Sequence, residues 1–202
     1  MKADFKKTHR IFTIGHSNLP FEQFISLLKE HDIGLVADIR RYPSSRKFPH
    51  FNHPALSERL ATEGIDYLWL EALGGRRHSN KKEKPPNIGL ISPGFRNDAD
   101  YMTTDEFRTA VHELLSIATQ SRTTLMCAEK LYWKCHRRIV SDYLVSQNVE
   151  VIHILGPGES SIHKLSTSAI ATETGVTYPA SESKDVQMSL FDLNAQNGSE
   201  NV

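Results

Sequence analysis

Short apolar runs bounded by turn residues alternate along this chain with segments whose apolar residues recur at helical spacing. No other feature restricts the fold as much, because that alternation is the pattern of a parallel sheet covered by helices. Ile11 to Ile14 reads as a first strand. Pro20 suits the first turn of a helix, and Phe21, Phe24, Leu27 and Leu28 share one face before His31. Gly34 to Ile39 reads as a second strand. A helix opening near Pro54 follows, with Leu56 and Leu60 inward and Gly64 ending it, and then a third strand, Ile65 to Leu70.

From Glu71 to Asp100 the chain is rich in Gly, Pro, Lys and Asn and shows no sustained period. Connections that long inside a domain are usually functional or disordered. Thr103 and Glu106 have capping-box spacing for a helix to about Gln120. Thr123 to Met126, Cys135 to Gln147 and Val149 to Leu155 then read as strand, helix and strand. Beyond Gly158, Ser, Thr and Ala increase and a linker is expected. At 202 residues the chain suits one domain. The expectation is α/β: a single Rossmann-like domain over residues 1–158, with about five mostly parallel strands flanked by helices. Residues 159–202 would be a flexible, disordered tail.

Lys plus Arg and Asp plus Glu are equal at 24 each, slightly basic before residue 160 and acidic after it. That balance is too even to demand nucleic acid by itself. Two cysteines, no apolar run of about 18 residues and no leader-like segment argue for a soluble protein of a reducing cytoplasm without a membrane partner.

Ligands of open parallel sheets bind outside the carboxyl ends of the strands. The unusual polar words of this chain fall there: Gly15-His16-Ser17-Asn18; Asp38-Ile39-Arg40-Arg41-Tyr42-Pro43-Ser44-Ser45-Arg46; Leu73-Gly74-Gly75-Arg76-Arg77; and Cys127-Ala128-Glu129 leading to Cys135-His136-Arg137. Taken in order, with Tyr101-Met102 between them, these words resemble the bacterial and archaeal family called domain of unknown function 488, over about residues 11 to 155. The resemblance implies an α/β domain with motif residues at His16, Ser17, Asp38, Arg40, Cys127, Glu129, Cys135, His136 and Arg137. It supplies no reaction.

Cys135 at a helix start, beside His136 and Arg137, has the surroundings that lower a thiol pKa and make a nucleophile. Cys127, Cys135 and His136 are alternatively zinc ligands, although Cys-x7-Cys-His lacks the usual paired short spacing and needs a fourth donor such as His16. No cofactor is demanded; zinc is the one candidate. The plainer reading is a buried strand-end thiol and a helix-capping histidine.

Asp38 and Arg40 alternate along a strand end and share a face. They read either as a pre-oriented base, with Glu129 as a second carboxylate, or as a buried salt bridge. His16 and Ser17 bind an anion at the next helix start or cap it, Ser17 more simply as a cap. Basic residues gather in two loops: Arg40, Arg41, Arg46 and Lys47, then Arg76, Arg77, Lys81, Lys82 and Lys84. With Tyr42, Phe48, Phe51 and Trp133 nearby, they suit a nucleic-acid strand. His16, Ser17, Arg40, Ser44, Arg76 and Arg137 are the candidate substrate-binding residues, with Arg40 and Arg137 to hold a phosphate or developing negative charge.

Gln187-Met188-Ser189-Leu190-Phe191, in a polar flank, resembles the peptide by which bacterial DNA-processing proteins hold the replication sliding clamp. In such peptides the Gln187-type amide bonds the pocket edge, while side chains like Leu190 and Phe191 fill an apolar cleft and carry most of the energy. The leading expectation is therefore a clamp-tethered, nucleoid-associated repair or processing enzyme acting on a damaged or modified nucleotide of DNA. A thiol-dependent enzyme on a free nucleotide and a non-catalytic DNA adaptor are the alternatives.

Overall fold

The computed structural model describes residues 10–78, 86–173 and 175–180. β1 (Arg10–Gly15), β2 (Leu35–Asp38), β3 (Asp66–Trp69), β4 (Thr123–Cys127), β5 (Glu150–Gly156) and β6 (Glu159–Ile162) form one sheet in the order β3-β2-β4-β1-β5-β6. All neighbours pair in parallel except β6, which runs antiparallel to β5. The buried central strands β2 and β4 carry almost continuous apolar or Thr side chains, as burial on both faces requires.

α1 (Phe21–Glu30) and α2 (His53–Thr62) cover one face of the sheet, where Phe12, Ile14, Val36 and Met126 meet Phe24, Leu28, Leu56 and Leu60. α3 (Pro93–Tyr101), α4 (Asp105–Ala118) and α5 (Arg137–Ser146) cover the other, on Ile11, Leu35, Ala37, Leu125 and Val151. Neighbouring residues of one strand serve opposite cores, because side chains alternate across a sheet. Among the described residues no helix is long and apolar enough to cross a membrane.

Several expectations are corrected here. The stretch Glu71–Asp100 holds α3 as well as a 3-10 turn, Glu71–Leu73. The helix opens on Ser92-Pro93 but buries only Ala99 within its own span, too little apolar material to show a period. The N-cap of α4 is Thr104, whose Oγ1 accepts the Phe107 amide at 3.3 Å, so the expected box on Thr103 and Glu106 is shifted by one residue. Cys135 precedes α5 in extended conformation, after a 3-10 turn at Tyr132–Lys134.

No linker begins at Gly158. β6 extends the sheet, β7 (Ile170–Thr172) and β8 (Gly175–Thr177) form a small antiparallel pair, and Val176 and Tyr178 enter the core. β6 is an edge strand of polar sequence, Glu159-Ser160-Ser161-Ile162, and so has the composition of a linker.

Candidate functional site

The carboxyl ends of β2, β4 and β1 lie side by side. The Ile39 amide donates to the Met126 carbonyl, and the His16 and Ser17 amides to those of Cys127 and Ala128. Gly15 makes this closeness possible: a Cβ there would lie 1.9 Å from the Glu129 carbonyl oxygen. A cavity of about 570 Å³ opens above these ends. His16, Ser17, Arg40, Ser44, Arg76, Cys127, Glu129 and His136 line it as expected, together with Asn18, Arg41, Tyr42, Ser45, Lys47, Phe48 and Gly75. Asp38, Cys135 and Arg137 do not reach its wall.

Asp38 is fully buried and wholly engaged. Its Oδ1 accepts the Arg40 amide at 3.0 Å and Arg40 Nε at 2.9 Å, while Oδ2 accepts the Tyr67 hydroxyl at 2.7 Å. This is the arrangement of a structural ion pair: a carboxylate with these partners has little capacity left to take a substrate proton. Arg40 also donates to the Phe51 carbonyl at 2.7 Å, and its Nη1 faces His16 Nε2 at 3.3 Å. His16 stacks on Phe51 and donates Nδ1–H to the Ser17 carbonyl. Burial, aided by the Arg40 charge, lowers its pKa to about 4, so the ring is neutral and Nε2 accepts from Arg40. Its lone pair is therefore taken, and His16 is no fourth metal ligand.

Cys127, Cys135 and His136 offer two sulfurs and a ring nitrogen, all within 4.8 Å of one another. His136 Nδ1 lies 3.8 Å from each sulfur, and Nε2 is 3.1 Å from the Ile39 carbonyl. A carbonyl only accepts, so Nε2 carries a proton, and the other ring nitrogen, Nδ1, faces the two sulfurs. Cys135 Sγ accepts the Arg137 amide at 3.3 Å. Cys127, donating to Cys135 and buried, is held well above the usual thiol range; Cys135, accepting that bond, is held well below it. The donor set is compatible with a zinc ion.

Other expected site residues have different work. Ser17 is not the cap of α1, whose N-cap position is Pro20 and which has no side-chain cap; it sits at φ 49° on the cavity wall. Arg137 is 1% exposed and braces the turn after β4, donating through Nη2 to the Glu129 and Lys130 carbonyls. Arg77 is folded back over the Tyr101 ring at 3.8 Å and onto the Glu71 carbonyl. Phe51 belongs to the core, and Arg46 and Trp133 lie off the wall. Lys81, Lys82, Lys84, Gln187, Leu190 and Phe191 fall outside the described residues.

Two groups escaped the sequence reading. Asp98 of α3 backs the His136 side of the cavity, across Gly75, and burial raises its pKa. Only recognising α3 would have placed it. Behind β1 runs a buried chain of hydrogen bonds that joins Thr13 Oγ1 to His153 Nδ1 at 2.7 Å, His153 Nε2 to His163 Nδ1 at 2.9 Å, and His163 Nε2 to Asp142 Oδ1 at 3.0 Å. Arg137 Nη1 donates to the same Thr13 oxygen. His153 within an otherwise apolar strand was the available signal.

Fold and site together define an α/β domain with a cationic cavity and a sulfur-imidazole cluster at the carboxyl ends of parallel strands. The chain belongs to the family described as domain of unknown function DUF488, whose profile matches residues 20–144. No curated protein and no solved structure matches it.

Proposed function

We propose that this protein is an enzyme that takes one phosphorylated nucleotide of a DNA strand into the cavity, with Cys127, Cys135 and His136 as its chemical centre. The carrying observation is one wall that joins Arg40, Arg41, Lys47 and Arg76 to Tyr42 and Phe48 and extends down to Cys127 and His136. Guanidinium and ammonium groups suit a phosphate, and aromatic faces suit a base. The volume lies within the range of small-ligand sites and matches a single unit, not a duplex. A base would therefore enter from a single strand or after extrusion. Glu129 is the carboxylate on the wall and the group to move a proton.

Zinc at the cluster supports this reading better than a Cys135 nucleophile does. The sulfur whose pKa is lowered is Cys135, which is 5% exposed and off the wall, whereas the sulfur that reaches the cavity is that of Cys127, whose pKa is raised. As metal ligands both sulfurs serve without touching substrate. DNA as the source rests on the clamp-like peptide at residues 187–191, which would tether the domain at the replication clamp and associate it with the nucleoid. Action on a free nucleotide is the second reading, favoured by the single-unit cavity.

The test is a pull-down with purified sliding clamp, comparing wild type with Leu190→Ala plus Phe191→Ala. Retention of wild type alone supports the tether; equal behaviour of the two removes it. Binding of a short single-stranded oligonucleotide against nucleoside monophosphates then separates DNA from free nucleotide. Lys47→Ala should weaken whichever ligand binds. If His136→Gln and Cys127→Ser leave every phenotype intact, the protein is an adaptor and not an enzyme.

A further inference from the structure

We infer that the zinc site proposed above, on which this inference rests, is of the open kind: Cys127, Cys135 and His136 are its whole protein ligand set, and its fourth position faces the cavity. The spacing is that of a preformed site. Tetrahedral zinc with bonds of about 2.3 Å to sulfur and about 2.0 Å to nitrogen sets the sulfur-nitrogen edge at roughly 3.5 Å. His136 Nδ1 stands 3.8 Å from both sulfurs, so an ion would require only a small contraction.

The surroundings are those of ligands and not of loose thiols. The Ile39 carbonyl fixes the His136 ring with its Nδ1 inward, as outer hydrogen bonds do for metal-bound histidines. The Arg137 amide donates to the Cys135 sulfur at 3.3 Å. Charge-assisted bonds of this kind stabilise thiolate.

Openness follows from what the described residues do not supply and from where the cavity lies. Among the described residues no fourth His, Cys, Asp or Glu donor joins the group of three. His16 Nε2 is turned to Arg40, and Asp98 receives the Arg77 amide at 3.0 Å. Cys127 and His136 both line the cavity, so the remaining position is approached from the side where a ligand enters. Three protein ligands with an exchangeable fourth is the pattern of catalytic zinc; closed four-ligand sites are structural. Water would occupy the position at rest, and a small donor ligand would displace it.

The experiment uses the full chain loaded with cobalt(II), whose visible bands report coordination. One equivalent is expected per chain, with thiolate charge-transfer absorption that Cys127→Ser weakens, and added azide or imidazole should shift the visible bands saturably. Asp98→Asn should behave as wild type. Stoichiometric cobalt whose bands neither azide nor imidazole moves would overturn the open position and leave the zinc reading standing. Failure of cobalt, zinc and cadmium alike to bind stoichiometrically to freshly reduced protein would overturn both. Bands that respond to azide only in Asp98→Asn would identify Asp98 as the fourth ligand and sink the inference.

Discussion

His136 Nε2 donates to the backbone carbonyl of Ile39 at 3.1 Å, across 97 positions of sequence. The bond links the start of α5 to the residue that follows β2, and it aims His136 Nδ1 at Cys127 and Cys135. Gly75 packs over the same ring, where a Cβ would come within 2.8 Å of it. Gly75→Ala is therefore expected to turn His136 away and lower metal uptake at least tenfold with little change in far-UV circular dichroism. A competitive chelator titration measures this.

Asp38→Asn should destabilise the protein by about 3 kcal/mol, because it leaves the buried Arg40 charge without its counterion. Urea denaturation reads the loss. If the variant keeps wild-type stability and loses only turnover, Asp38 is a catalytic base after all.

Acid should begin to weaken the fold below about pH 6.5, where the unfolded histidines start to take up protons. His16 and His153 are held near 4 and 3, mainly by burial, with the Arg40 charge next for His16 and His163 next for His153, against 6.5 for the free side chain. A lowered folded-state pKa means that the unfolded chain binds the proton first. The stability is then complete above about pH 6.5 and is lost as pH falls towards 4 and then 3. The urea midpoint should decline over that window, and His153→Asn should flatten the slope.

Gly15→Ala should fail to fold at 37 °C or lose several kcal/mol, since its Cβ would collide with the Glu129 backbone and with Arg137. Thermal melting of whatever material is soluble decides it. A melting temperature equal to wild type would mean that β1 and β4 are less tightly joined than described.

Lys47→Ala and Arg76→Ala lie on the cavity wall and should leave stability within about 0.5 kcal/mol of wild type. On a single-stranded oligonucleotide each should reduce the salt dependence of binding by roughly one counterion. An unchanged slope in both would remove the phosphate role of this wall.

Much of the architecture was legible from spacing. Phe24 and Leu28, or Leu56 and Leu60, repeat at helical intervals, and the five parallel strands read as apolar runs. What escaped was short, polar or at an edge: α3, with one core residue in nine positions, and β6, exposed except at the half-buried Ser161. The site was half legible. Residues beside strand ends stand out because ligands gather there, but Asp38 and Arg137 lie behind the wall and bond to other parts of the chain, which composition does not report.

Local periodicity alone established the layers of this protein, since the 2- and 3.6-residue repeats arise within each segment and need no partner. The order of the strands is a long-range matter. β4, far along the chain, inserts between β1 and β2, and that insertion carries Cys127 between His16 and Arg40 and delivers His136 to Ile39. Nothing in the four strand-end words taken singly states that adjacency, because it is set by which hydrophobic faces pack together once the whole sheet is assembled.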